Sequence, residues 1–279
     1  MMKRAVRHFV YHPLPFLGIL FIAILVLTGV LAPLLAPYDP VEISPDRRLT
    51  PPNETNWLGT DEVGRDILSR IIYGARISLQ IGVTIVFFAA AIGLIVGLIS
   101  GYFGGVWDQT LMRFTDMFLS FPTLILAIAM TAALGPSLFN SVLAMIIVWW
   151  PIYARLIRSE VLVVKEKEYI RAVKALGAKP LKIIFFHVLP NTVDVVVIRA
   201  SIDFGNAVMF CAALSFIGLG AQPPQPEWGA MVTTGRDYLR DAWWLVTFPG
   251  MAIFLTVMGF NLFGDSLRDF LDPKLRGEK

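Results

Sequence analysis

The sequence predicts an all-α membrane protein of about six transmembrane helices, on three observations. Hydrophobic residues make up 56% of the 279 and charged residues only 16%, against about 25% charge in an ordinary soluble domain. Mean hydropathy is +0.66, so polar surface is too scarce for water and the matching solvent is lipid. Five long runs carry no Asp, Glu, Lys, Arg or His.

Taken in order, those runs give the spans. Residues 13–38 form a run of 26, and residues 77–107 one of 31. Residues 204–226 and 242–264 are runs of 23 each. A membrane helix needs roughly 20 residues, so each run supplies one span. Residues 117–154 form a run of 38, too long for one helix, with Leu134-Gly135-Pro136-Ser137 near its middle. Gly-Pro interrupts a helix, so this run predicts two spans joined by a tight turn. The first span exceeds the roughly 7–15 apolar residues of a cleaved signal peptide and reads as a retained anchor.

Orientation follows from the loop cations. Sixteen Lys and Arg fall on one side: the amino terminus, Arg113, the loop of about 155–191, and the tail. Seven fall on the other. Both termini and the long middle loop are therefore expected to be cytoplasmic, and residues 39–76 external. Three regions are expected: 1–76, an anchor helix plus an external amphipathic segment; 77–268, the transmembrane core with its cytoplasmic loop; and 269–279, a cytoplasmic tail. Net charge is only +3 and no basic run is long enough for nucleic acid. The single cysteine, Cys211, allows neither an intrachain disulfide nor a Cys-His metal cluster, and no metal site is expected.

The middle loop carries the clearest pattern. Tyr169, Ala172, Val173 and Leu176 recur at i, i+3, i+4 and i+7, one face of a helix. Gly177 stands where a left-handed cap belongs, and Pro180 where a second helix can start. That second helix is expected to close at Leu189-Pro190. An apolar helix face outside the bundle either lies in the headgroup layer or docks a cytoplasmic partner. Both readings stay open on composition.

Residues 57–76 predict an external amphipathic helix. Thr60 would cap it, Asp61 and Glu62 would sit in its first turn, and Asp61–Arg65 and Asp66–Arg70 would pair at i,i+4. In the fifth span, Arg199 and Asp203 are also four apart. Charge at membrane depth faces the bundle interior or a water-filled path. The pair could line the translocation path, with Asp203 attracting a substrate amine; the preferred reading is an ion pair locking helix to helix. Gly93 and Gly97, also four apart, suit close helix packing.

Absences narrow the function. No Gly-x4-Gly-Lys-Ser/Thr phosphate loop occurs, so no cofactor is expected on this chain and any ATP would be used by partner subunits. An intramembrane enzyme would need a nucleophile and base at depth, yet His8, His12 and His187 all fall in cytoplasmic segments. No carbonyl filter suggests a channel. A self-contained proton-coupled carrier remains the alternative from another class, with Asp203 as its titratable group.

Several segments carry a family resemblance. The run Glu168 to Gly177 (EYIRAVKALG) followed by Ile183 to Asn191 (IIFFHVLPN) resembles the cytoplasmic loop signature of binding-protein-dependent ABC importer permeases. Ala172, Gly177, Leu189 and Pro190 match its spacing, while Arg171, Val173 and His187 depart from its usual residues. His before Leu-Pro-Asn is similar to the dipeptide/oligopeptide/nickel branch. Trp57 to Leu79, Gly101 to Asp108, Leu214 to Ala221 and Gly264 to Pro273 resemble the C-type subunit of that branch.

The resemblance implies a type I ABC importer permease fold in a bacterial or archaeal cytoplasmic membrane. It implies a heterodimer with a homologous permease subunit, two cytoplasmic ATPase subunits and an external solute-binding protein. Tyr169, Ala172, Val173, Leu176 and Gly177 would dock on an ATPase, and Leu189-Pro190 would return the chain to the membrane. The substrate would be a dipeptide or oligopeptide, with nickel or another small solute as the alternative.

Overall fold

A computed structural model describes residues 13–271, and those residues are helical apart from loops and one isolated bridge, Thr60 to Asp66. Helix α1 is Pro13–Val30, followed by a turn at Ala32–Leu35. After an external segment come α2 (Ile67–Phe103), α3 (Gly105–Leu119), α4 (Thr123–Leu134) and α5 (Leu138–Lys165). The loop helix α6 is Glu168–Ala175. A helical turn at Pro180–Ile183 and a π-turn at Ile184–Val188 lead into α7 (Leu189–Phe216). Helix α8 (Trp228–Gly235) and α9 (Trp244–Leu271) complete the described residues. The basic amino terminus and most of the tail, 272–279, lie outside them.

Among the described residues, five helices are long and apolar enough to cross a membrane, and the bent pair α3–α4 makes up to six. The surface is that of a lipid-solvated protein: Phe87, Ile95, Phe103 and Leu27 are exposed, while Asp61, Arg65, Ser78, Thr131 and Asp203 are buried.

At the centre α2 lies against α5 at close range because α2 carries glycine every fourth residue. A side chain at Gly93 would overlap Tyr153, and one at Gly101 would stand 2.7 Å from Val161 Cβ. Ile81, Ile85, Met145, Ile157 and Leu214 fill the surrounding core. A second cluster at the external end joins Ile67, Trp228, Trp244 and Leu245. Each buried indole reaches a carbonyl there: Trp228 Nε1 donates to Ile71 O (3.1 Å) and Trp244 Nε1 to Thr60 O (3.1 Å).

Two expected boundaries move. The charge-free run 204–226 is not the fifth span, which ends at Phe216, where Gly218 turns left-handed (φ +83°). The span starts before that run and holds Arg199 and Asp203, whose mutual pairing lets charge lie within it. The loop expected between the second and third spans is helix α3, which bends by 86° into α4. Ser120-Phe121-Pro122 makes the bend, since Pro122 lacks an N–H and steers Phe121 away from helical geometry. The turn at Gly135-Pro136 stands as expected, with Ser137 capping α5 through the Asn140 N–H (3.1 Å).

The external helix over 57–76 is corrected as well. Residues 57–66 fold as turns, because Gly59 and Gly64 are both left-handed (φ +80° and +86°). The residue that caps a helix is Asp66, not Thr60, and that helix is α2 itself, running through residue 76 into the membrane. Asp61 and Arg65 pair as expected (2.6 Å). Asp66 and Arg70 do not: Asp66 accepts from Ser69 and Asn56, while Arg70 donates to Pro40 O (2.8 Å) and lies near Asp61 (3.6 Å).

Asp61, 3% exposed, thus compensates both Arg65 and Arg70. Removing one member of a buried ion cluster costs about 3–5 kcal/mol, because the others stay buried and uncompensated. Asp61→Ala is expected to lower the melting temperature of the detergent-purified chain strongly, whereas Asp46→Ala, at an exposed site, leaves it unchanged; thermal denaturation distinguishes the two.

Candidate functional site

The cytoplasmic loop is a short helix rooted on the bundle along one edge. Within α6, Ile170 is 3% exposed, and Val173 packs against the central core together with Ala178 beyond the helix. Tyr169 and Ala172 are exposed, and Leu176 is 87% exposed. The expected apolar face therefore splits. Val173 turns inward with Ile170, a residue the i, i+3, i+4 pattern left out, while the Tyr169–Ala172–Leu176 edge is exposed, with the Tyr169 hydroxyl turned toward the following helix and Leu176 at the free tip.

Gly177 ends the helix in the left-handed region (φ +82°), its N–H donating to Lys174 O (3.0 Å). Pro180 opens the next helical turn, as its fixed φ favours. Leu189-Pro190 does not close that helix. Residues 180–216 run on as one helix of 37, because the π-turn at Ile184–Val188 shifts the bonding register just before Pro190, the residue without an N–H; Leu189 N–H donates to Ile184 O. Leu189 packs on the core and Pro190 is exposed.

Tyr169 closes the loop onto that helix. Its hydroxyl accepts from Asn191 Nδ2 (3.1 Å) and donates to His187 O (3.4 Å). On the other flank, Arg158 of α5 grips Asp108 of α3 with both fork nitrogens (2.5 and 2.6 Å), and Lys165 Nζ donates to Gly101 O (2.8 Å). These clamps fix both ends of the loop to the membrane helices. The sequence gives no sign of the Asp108–Arg158 pair, whose members are 50 residues apart.

At membrane depth, Arg199 Nε donates to Asp203 Oδ2 (2.8 Å). Asp203 is 2% exposed, whereas the Arg199 side chain is 39% exposed. The i,i+4 ion pair forms, with Asp203 withdrawn and the guanidinium the more exposed member. Tyr153 of α5 faces Asp203 from across the helix interface. Further out, α4, α7, α8 and α9 surround an open apolar hollow of about 370 Å³, lined by Leu124, Ile128, Met209, Ala213, Val232 and Ile253.

Residues 93–277 match the family of binding-protein-dependent transport system inner membrane components. The chain belongs to this family. Residues 1–52 match the N-terminal transmembrane domain of oligopeptide transport permease C. Over 267 residues the permease is 47% identical to a probable D,D-dipeptide transport system permease protein of Escherichia coli K12, covering 96% of this chain and 90% of that one. It is 45% identical to a dipeptide transport system permease protein of Alkalihalophilus pseudofirmus, covering 98% and 90%. A glutathione transport system permease protein of Escherichia coli is 42% identical, covering 92% and 86%. Among solved structures, an inward-facing methionine ABC transporter chain superposes with a TM-score of 0.59 at 21% identity, over 74% of this chain and 98% of that one, which establishes the shared fold.

The permease is accordingly a multi-pass inner-membrane subunit of an ABC importer with the type I fold. Membership implies ATPase subunits and a binding protein as partners.

Proposed function

We propose that this permease forms half of the translocation path of a peptide importer and that its loop helix couples the path to a separate ATPase. The observation that carries the reading is the exposed Tyr169–Ala172–Leu176 edge, held rigid by Ile170 and Val173 beneath it. An apolar edge on a fixed support, 87% exposed at its tip, needs a groove to fill. A helix lying in headgroups would direct its most apolar residues into the same layer as the bundle's lipid face; this one is anchored by its inward face and presents the opposite edge.

The partners in this reading are a homologous permease subunit, making a heterodimer, two cytoplasmic ATPase subunits and an external solute-binding protein. The chain itself carries transport and no catalysis; ATP binding and hydrolysis occur on the partners. The cargo is a dipeptide or short oligopeptide, supported by the dipeptide and glutathione permeases to which the chain is similar across nearly its full length. The host is a bacterium, as for those relatives.

The test is purification of the tagged chain in mild detergent with mass spectrometry of what accompanies it. Stoichiometric recovery of a phosphate-loop ATPase and a second six-span permease is expected. Recovery of the chain alone, or with copies of itself only, refutes the heteromeric importer.

A further inference from the structure

Between Val195 and Phe216, α7 carries only two charged side chains, Arg199 and Asp203. Arg199, Asn206 and Ala213 repeat every seventh residue and so share one stripe of the helix. The flanks of that stripe are occupied. Phe210 packs edge-on to Trp149 of α5 (5.7 Å between ring centres), and Asp203 lies on the same side beside Tyr153. On the other flank Gly205 meets Val257, and Ile202 meets Gly264, both of α9. Arg199, Asn206 and Ala213 all remain partly exposed in the gap between. The outer end of this stripe opens on the apolar hollow, which Ala213 and Met209 help to line. At 1.5 Å per residue, Arg199 lies about 26 Å inward from Phe216, in the inner half of the bilayer.

A guanidinium and an amide at that depth do not face lipid tails. Arg199 is moreover only half used: Nε bonds Asp203, and among the described residues neither Nη atom makes a protein hydrogen bond. That free edge is a planar two-donor fork, the shape that matches a carboxylate. Asp203 is fully withdrawn behind it, and neither its Oδ1 nor the Tyr153 hydroxyl makes a hydrogen bond. A carboxylate with one buried, unshared oxygen and one oxygen committed to Nε serves to orient the arginine.

We propose that Arg199, positioned by Asp203, is an anion-binding station on the inner half of the path that takes the C-terminal carboxylate of a passing peptide. This rests on the peptide reading above. A peptide crossing the apolar outer stretch meets on α7 a first exposed charge of the sign that complements its C-terminus. The station releases readily, because the nearby Asp203 charge offsets part of the attraction and holds the site well short of a trap.

The test uses the complete transporter, with its partner subunits and binding protein, in proteoliposomes. Two probes are compared, dialanine and its C-terminal amide, each supplied as binding protein loaded to saturation so that capture is not the variable. Arg199→Gln is expected to slow dialanine about tenfold or more, the scale of one charge-assisted hydrogen bond, and to leave the amide near its wild-type rate. Arg199→Lys should fall between, and Asp203→Asn should reproduce the loss for dialanine although the arginine is still present. Equal slowing of both probes, or no slowing of either, overturns the proposal. So does loss of the partner permease from the purified Arg199→Gln complex, which would place Arg199 at a subunit contact. Failure of the wild-type transporter to move either probe would instead refute the peptide reading itself.

Discussion

Replacing Gly177 by proline is expected to abolish ATP-driven uptake while the permease still inserts and accumulates at its normal level. The residue adopts φ +82° and donates its N–H to Lys174 O. Proline has neither that φ nor the N–H, so the turn between α6 and Pro180 cannot form and Leu176 is displaced from its presented position. The bundle is spared because nothing lies within 4 Å of where a side chain at Gly177 would go. Gly177→Ala calibrates the effect. It keeps the N–H and suffers only the left-handed strain of about 1–2 kcal/mol, so uptake should fall without vanishing. Ala172→Glu, on the exposed edge, is expected to match the proline variant in uptake with no loss of thermal stability. Normal ATP-driven uptake by both Gly177→Pro and Ala172→Glu would refute the coupling role. Basal ATPase activity of the purified complex, unresponsive to loaded binding protein, is the accompanying signature.

A second substitution should act on the fold itself. At Gly97 a side chain would stand 2.7 Å from Ala154 O, 2.8 Å from Ile157 Cβ and 3.0 Å from Arg158 N. Two of those three atoms are backbone, so no rotamer change relieves the overlap and α2 must separate from α5. Overpacking of a close interface costs about 1–3 kcal/mol when neighbours yield; with helix backbone as the neighbour, Gly97→Leu is expected to exceed that range. The separation would also pull Lys165 from Gly101, a contact that bridges the same two helices. The expected outcome is little or no folded chain by fluorescence-detected size-exclusion, with Gly97→Ala intermediate. A monodisperse Gly97→Leu permease of wild-type melting temperature would overturn the account of this interface.

Much of this architecture is readable from the residues. Charge-free runs and the Gly135-Pro136 break predict six spans, and the described residues hold five long apolar helices plus one bent pair. The loop pattern places α6, the Gly177 cap and the Pro180 start. What escapes the sequence is governed by long-range partners. A charge-free criterion cannot admit Arg199 and Asp203 to a span, because it does not see that each neutralises the other. The i,i+4 rule pairs Asp66 with Arg70, yet the carbonyl of Pro40 draws Arg70 away. Arg199 and Asp203 read from spacing as an ion pair, and only the burial of Asp203 shows that Arg199 is the exposed member. The turns at Gly59 and Gly64 are equally hidden: a glycine inside an amphipathic pattern does not announce a left-handed conformation until other parts of the chain approach it, Thr50 and Trp244 at Gly59 and Ser44 at Gly64.

The continuity of residues 180–216 has a mechanical consequence. A helix of 37 residues is a rod about 55 Å long, with the loop at one end and the apolar hollow at the other. A rod does not damp what is done to it: a tilt of about 5° at the Pro180 end sweeps the Phe216 end through about 5 Å, close to one helical pitch. Tyr169 ties α6 to this rod through Asn191, so the exposed tip of α6 and the helix that bears Arg199 share one stroke. The π-turn at Ile184–Val188 falls on the loop side of Asn191, so Tyr169 engages the rod beyond that irregular stretch.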